Sequence, residues 1–319
     1  MGKAKKPKPL AVRDPERVKR IRRGVFHFLG AILLVGLLSV GYLHLRRYVE
    51  REVVFPEHPP RVVLKNRPSW MSDARAIQII NSIRPAGTHS AFDRQLLVDT
   101  AAILQQNPWV KQVRQVRRAY GEKPGDTLEI DCDYRAPIAL VHWKDYYWLV
   151  DGEGVKLPEQ FIESQLPRIM IGPDRRLNLR IIEGVTQAPV ESGQVWRGDD
   201  LAAGLDLVKI LYAQRYAEEI VKVDVANFGG RIDPKEAQID LVTRYDTQIR
   251  WGRPVNAKDF FVEVSASQKL KYLEEIYNEF HRVDGGRPWI DIRFDRITYP
   301  SGAGGGGAET SARAADGSR

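Results

Sequence analysis

Residues Gly24 to Leu45, GVFHFLGAILLVGLLSVGYLHL, form an uncharged and mostly apolar run of 22 residues. At about 1.5 Å rise per residue such a run makes a helix of roughly 33 Å, enough to cross a hydrocarbon core of about 30 Å. The chain in front of it holds ten Lys or Arg against Asp14 and Glu16, whereas the basic and acidic residues after Leu45 cancel. By the positive-inside tendency, residues 1–23 are expected in the cytoplasm and the bulk of the chain on the other side. The sequence pI of about 9.5 is therefore an orientation signal rather than the footprint of a nucleic-acid-binding domain. Tyr42 to Arg47 offers no small-residue cleavage pattern, so the run reads as a retained anchor, with Phe26, Leu33, Leu34, Leu37 and Leu38 facing lipid. His27 and His44 lie near its ends, where a ring reaches the headgroups.

The chain has one cysteine, which excludes an internal disulfide framework. Cys132 falls in Thr127-Leu128-Glu129-Ile130-Asp131-Cys132-Asp133-Tyr134, where alternate residues share one strand face, and reads as a buried core thiol. Arg46 to Pro60, with Pro56, Pro59 and Pro60, reads as a stiff linker, assigned as 46–59.

Beyond it, a short strand at Arg61 to Leu64 precedes two helices. Asp73 to Ile83 places Ala76, Ile77, Ile80 and Ile83 at helical spacing, and Asp93 to Gln106 does the same with Leu97, Ala101 and Leu104 before Asn107-Pro108. Val110 to Tyr120 and Thr127 to Leu140 then read as two strands joined by Gly121-Glu-Lys-Pro-Gly-Asp126. The order is β-α-α-β-β. Glu129, Asp131, Asp133 and Arg135 line the polar face of the second strand and Lys111, Arg114, Arg117 and Arg118 that of the first; these charges read chiefly as solvated faces, with cross-strand pairing as the alternative.

The rest, to Pro300, reads as short strands with two inserted helices: Ile138 to Trp143, Tyr147 to Asp151, Arg168 to Ile171, Asn178 to Ile182, Ile220 to Ala226, Ala237 to Thr243 and Thr247 to Trp251. One helix follows Asp199 to about Arg215; the other follows Ser265 or Ser267, with Leu270, Leu273, Ile276, Tyr277 and Phe280 as its core stripe. Residues 301–319, rich in Gly and Ala, have nothing to bury and are expected to be disordered. The fold class is α+β.

Three stretches resemble the FtsQ family, called DivIB in Gram-positive bacteria. The first is Asn107-Pro108-Trp109-Val110-Lys111-Gln112-Val113, leading through Arg117-Arg118 and Asp126-Thr127-Leu128-Glu129-Ile130 to Arg135-Ala136-Pro137-Ile138-Ala139. The second is Trp148-Leu149-Val150-Asp151-Gly152-Glu153-Gly154-Val155. The third combines Ile249-Arg250-Trp251-Gly252, Lys269-Leu270 and Ile290-Asp291-Ile292-Arg293-Phe294-Asp295. The resemblance covers roughly residues 25 to 300, with the β module enlarged between Leu157 and Gln194. It implies a polypeptide-transport-associated (POTRA) domain at 60–137 and an FtsQ-type, mainly antiparallel β-domain at 138–300. It also implies a divisome scaffold without catalysis or cofactor, which recruits FtsB- and FtsL-like bitopic partners and meets other divisome proteins through the POTRA domain.

The terminal stretch Pro288 to Tyr299 carries a phase change. Ile290, Ile292 and Phe294 point one way and Asp291, Arg293 and Asp295 the other, and then Ile297 and Tyr299 fall on the polar side. Either a bulge resets the phase or apolar groups face out at a sheet edge able to accept a partner strand. The residues expected at this edge are Arg293, Phe294, Arg296, Ile297 and Tyr299, joined by Trp251.

Two other functions compete with the scaffold. A membrane-tethered cell-wall hydrolase lacks support: there is no Gly-x-Ser-x-Gly, His-Glu-x-x-His or phosphate-binding glycine loop, and the six histidines show no ligand spacing. A POTRA-containing assembly or secretion factor calls for a following transmembrane β-barrel, whose ten-residue alternating segments the charged, helix-interrupted C-terminal half does not supply.

Overall fold

The computed structural model describes residues 15–51, 58–123, 125–166, 179–257 and 263–300. The strand expected at Arg168 to Ile171, the prolyl linker around Pro56, most of the basic N-terminal segment and the tail 301–319 lie outside the described residues. The protein is α+β, and its described residues form one long N-terminal apolar helix and two sheets among their elements.

Helix α1 spans Pro15–Val49, and its Arg22–Val49 stretch is long and apolar enough to cross a membrane. Phe26, Leu33, Leu34, Leu37 and Leu38 are all exposed on it. Apolar residues surround this helix on every side, so no single stripe can be satisfied by packing on one globular core.

Next come β1 (Arg61–Lys65), α2 (Asp73–Ser82), α3 (Arg94–Gln106), β2 (Val110–Ala119) and β3 (Thr127–Tyr134). They follow the expected β-α-α-β-β order, and the three strands form a sheet in the order β1-β3-β2. Leu128, Ile130 and Cys132 of β3 are buried, as period-two alternation requires. Burial pushes the Cys132 thiol up to about 11, which keeps it a protonated core group. The charged flanks do pair across strands: Arg117 meets Glu129 at 2.8 Å and Arg114 meets Asp133 at 2.6 Å.

The expected strand Thr127 to Leu140 is two strands. β3 ends at Tyr134, and β4 (Pro137–Trp143) opens the second sheet after only Arg135 and Ala136. Pro137 has no N–H to give a ladder and sits at the first position of its strand, where that loss is tolerated. The second sheet continues with β5 (Tyr146–Asp151), β6 (Lys156–Phe161), β7 (Arg180–Glu183), β8 (Ile220–Asp224), β9 (Ile239–Thr243), β10 (Gln248–Gly252) and β11 (Trp289–Asp291). Its eight strands run in the order β11-β10-β9-β8-β7-β4-β5-β6. The expectation of a mainly antiparallel domain is corrected to a mixed sheet: β4 with β7, β7 with β8, and β10 with β11 are parallel. Each parallel pairing needs a crossover, and α4 (Asp199–Tyr212) and α5 (Ala266–Phe280) lie within two of the connecting segments.

Contacts divide the chain into one unit of Met1–Val63, Ile83–Thr100 and Val116–Ile130 and a second of Leu64–Ser82, Ala101–Gln115 and Asp131–Arg319. The main core belongs to the second. It joins Val141, Val150, Ile182, Val223, Leu241, Ile249 and Ile290 from the sheet to Leu201, Leu207, Leu211, Leu273 and Ile276 from the helices. Gly204 allows α4 to lie close on the sheet, since a Cβ there would stand 3.0 Å from the Ile182 side chain. Ser265 caps α5 by accepting the Gln268 N–H at 3.3 Å.

Leu207→Ala should lower stability by about 2–5 kcal/mol, because a fully buried side chain leaves a cavity between α4 and the sheet. Ile232→Ala, at an exposed position, should stay within about 0.5 kcal/mol. Guanidinium unfolding of the detergent-solubilised chain, followed by tryptophan fluorescence, checks both.

Candidate partner-binding edge

β11 is a terminal strand of the eight-stranded sheet, and it stops after three residues because of what Asp291 does. Its carboxylate accepts the Arg293 backbone N–H at 3.1 Å and the Arg293 guanidinium in a fork, Nε to Oδ1 at 3.0 Å and Nη2 to Oδ2 at 2.7 Å. A bidentate pair two residues apart bends the chain out of the extended conformation. Arg293 Nη1 also donates to the Lys235 carbonyl at 3.2 Å, and the Arg293 carbonyl accepts from the Val264 N–H at 2.8 Å. The Tyr272 hydroxyl donates to the Asp295 carbonyl at 2.9 Å. The chain then reverses, and Thr298 exchanges both backbone hydrogen bonds with Asp291, at 2.7 and 3.0 Å.

The continuous edge strand expected from Pro288 to Tyr299 is thus corrected to a three-residue strand, a reversal and one antiparallel bridge. The phase change is the sequence trace of that reversal and not of a bulge. Asp291 and Arg293 are buried as a pair, at 6% and 8% exposure, although alternation put them on an open face. Phe294, Asp295 and Arg296 form the exposed tip, Ile297 packs half-buried against the main core, and Tyr299 is exposed. The Arg287 guanidinium stacks on the Tyr299 ring, 3.2 Å from its centroid.

Two expected site residues are removed from the surface. Trp251 is fully buried, with its ring facing the Lys269 ammonium at 5.3 Å and its carbonyl accepting from Lys269 Nζ at 2.6 Å. Lys269 is itself buried, pairs with Glu263 at 2.7 Å, and burial lowers its pKa. Arg293 is spent on Asp291. Of the residues proposed from sequence, Phe294, Arg296, Ile297 and Tyr299 remain together on one short segment.

A feature that sequence reasoning missed leads to this edge. Register brings Glu183 beside Asp224, Asp224 beside Asp240, Asp240 beside Arg250 and Arg250 beside Asp291, a row of charged side chains across five strands. Lys222 neutralises Glu183 at 2.6 Å, His142 approaches Glu183 at 3.1 Å, and Gln248 donates to Asp240 at 2.8 Å. Burial, with the neighbouring Asp224 adding to it, pushes the Asp240 carboxyl up to about 6, and burial raises Asp224 too. The only signal in the sequence was a polar residue at alternate positions of each strand. Among the described residues no group of three or more His, Cys, Asp or Glu could hold a metal ion.

No protein-family model and no curated protein sequence matches this chain.

Arg293→Ala should cost about 3–5 kcal/mol, since it strands a buried carboxylate, while Arg296→Ala should cost no more than about 0.5 kcal/mol. Faster hydrogen exchange at the Asp291 and Thr298 amides in the first variant alone would report the loosened bridge. Asp240 holds its proton in the fold at pH values where the unfolded chain has lost it. Its contribution to stability is therefore full below about pH 4 and is lost as pH rises through about 6. Asp240→Asn should flatten that part of the pH dependence of unfolding; parallel curves for wild type and variant between these limits would refute it.

Proposed function

We propose that the chain is a bitopic divisome scaffold of the FtsQ/DivIB kind. In this reading α1 crosses the cytoplasmic (inner) membrane with its basic end inside, and the β-α-α-β-β module is a POTRA domain. The eight-stranded part is the FtsQ-type β-domain. The protein acts at the division septum by recruiting FtsB- and FtsL-like partners, which links septum assembly to septal peptidoglycan synthesis. Other divisome proteins meet the POTRA module.

The observation that carries the reading is the Asp291 to Thr298 bridge. In an antiparallel ladder, successive residues turn their backbone groups to opposite sides. With Thr298 bonded inward to Asp291, the backbone groups of Ile297 and Tyr299 turn outward, as an incoming strand requires. Exposed Phe294, Arg296 and Tyr299 flank them and supply side-chain selectivity. The order of the parts supports the same reading: an apolar helix, a β1-β3-β2 sheet with two helices, then a sheet whose end strand is the last element among the described residues.

The test is binding of the full-length chain in nanodiscs to the extracytoplasmic part of the host's FtsB homologue. Tyr299→Glu and Phe294→Glu should weaken it at least about tenfold, or 1.4 kcal/mol, with unfolding midpoints unchanged. Equal affinity in wild type and variants would move the site elsewhere, and no binding by wild type would withdraw the scaffold reading.

A further inference from the structure

Outside α1, the most exposed large apolar side chains among the described residues are Tyr120 at 73%, Ile232 at 72% and Phe92 at 67%. Two of the three lie on adjoining loops of the first unit. Tyr120 follows β2 directly at the hairpin turn, and Phe92 sits in the loop before α3. The two loops are fastened to each other. The Arg118 guanidinium donates to the carbonyls of His89 and Ser90 at 2.8 and 3.0 Å. Gly125, at φ +72°, lies so close to Ala91 that a Cβ would stand 2.4 Å from the alanine methyl.

The turn itself is held by one carboxylate. Asp126 accepts the N–H groups of Gly121, Glu122 and Lys123 at 2.8, 2.8 and 2.9 Å. Hydrogen bonds to the charged form hold its pKa below the usual carboxylate range against the opposing effect of burial. The exposed aromatics therefore stand on loops fastened by hydrogen bonds to each other and within the turn, and two large rings exposed on adjoining loops make a candidate contact surface.

The tether tells which partner. Arg61 donates its N–H to the Asp126 carbonyl at 2.8 Å, so the platform lies at the end of the module where the chain arrives from α1. Ten peptide steps separate Arg51 from Arg61, a span of at most about 35 Å even when fully extended. We propose that the Phe92 and Tyr120 loops rest on the headgroup layer of the membrane that α1 spans, with both rings at the interface and the exposed Arg84 and Arg94 beside anionic headgroups. A tyrosine ring such as Tyr120 at headgroup depth and basic residues over anionic lipid are the usual anchors of such contacts, and Phe92 adds purely apolar area beside them. Glu122 at the turn is exposed as well and is to be turned toward water. The inference rests on reading α1 as a membrane span, and it limits the swing of the first module about its tether.

The test uses the full-length chain in vesicles of phosphatidylethanolamine and phosphatidylglycerol. Buried Cys132 leaves introduced surface cysteines open to selective labelling. Phe92→Cys and Tyr120→Cys, each carrying the fluorophore nitrobenzoxadiazole, are compared in vesicles with and without a headgroup-nitroxide lipid. Leu34→Cys is compared with and without an acyl-chain nitroxide. Labels at 92 and 120 should lose fluorescence about twofold, as expected of groups held at headgroup depth. Quenching at 34 without quenching at 92 and 120, beyond that of the free label adduct, would overturn the lipid contact and leave the membrane span standing. Absence of quenching at 34 would overturn the span itself, and the contact with it.

Discussion

Only Arg135 and Ala136 intervene between β3 and β4, and Arg135 is held from three sides. Its N–H donates to the Trp109 carbonyl at 2.9 Å, and its guanidinium reaches Asp151 at 2.7 Å and Glu153 at 3.1 Å. Asp151 is buried and its other oxygen accepts the N–H groups of Glu153 and Val155 at 2.9 and 2.8 Å, closing the β5–β6 turn. A buried carboxylate so satisfied is costly to unpair, so Arg135 cannot leave without loosening that turn. The same knot fixes where β4 starts, and β4 pairs with both β5 and β7. Lys111 extends it to Glu153 at 2.5 Å, and Arg75 lies 3.9 Å over the Trp109 ring while pairing with Glu159 at 2.5 Å. The start of the large sheet is therefore specified by polar geometry, and its interior by apolar packing.

That division of labour runs along the sheet. In the middle strands, apolar side chains on one face meet α4 and α5, while the other face carries the charged row from Glu183 to Asp291. Such a row is tolerable because each member has a partner nearby or sits partly in water; adjacent carboxylates in register would otherwise repel. At Asp224 and Asp240 burial raises both pKa values, and the neighbouring Asp224 charge adds to the rise at Asp240, so a proton on Asp240 relieves the like-charge contact that backbone register imposes. At the end of the row Arg250 sits 4.0 Å from Asp291, which already carries Arg293, so the last strand is held electrostatically where it is too short to be held by its ladder.

Much of this was readable from the residues. The helices showed themselves through apolar spacing and breakers: Ser265 as a cap, Asn107-Pro108 as a stop. Strand alternation gave Leu128, Ile130 and Cys132 correctly. β6 was not seen because Lys156-Leu157-Pro158-Glu159 is short, charged and interrupted by proline, and only its place beyond β5 makes it a strand. The register row could not be seen, since Glu183, Asp224, Asp240, Arg250 and Asp291 are scattered over more than a hundred residues. Trp251 and Arg293 were misplaced for related reasons. A tryptophan in a strand gives no sign of which neighbour covers it, and an arginine two residues after an aspartate reads as surface charge until burial shows that the pair is closed on itself.

The terminal edge answers two opposing demands. A long, flat, apolar edge strand invites uncontrolled pairing, and this chain avoids one: Pro288 precedes β11, Pro300 follows the bridge, Asp295 and Arg296 sit at the tip, and the ladder is three residues long. Yet the covering it uses is slight. Among the described residues, the outer side of β11 is bridged at Thr298 alone, through two backbone hydrogen bonds with a net value of about 0.5–1.5 kcal/mol each. An incoming strand that adds outside Thr298, or displaces it, meets little resistance from the backbone and gains little selectivity from it. On the proposed reading, recognition therefore has to reside in the side chains that the reversal leaves outside, Phe294 and Arg296 at the tip and Tyr299 beneath the Arg287 guanidinium. The buried Asp291–Arg293 fork contributes by keeping those three in fixed relation to the edge.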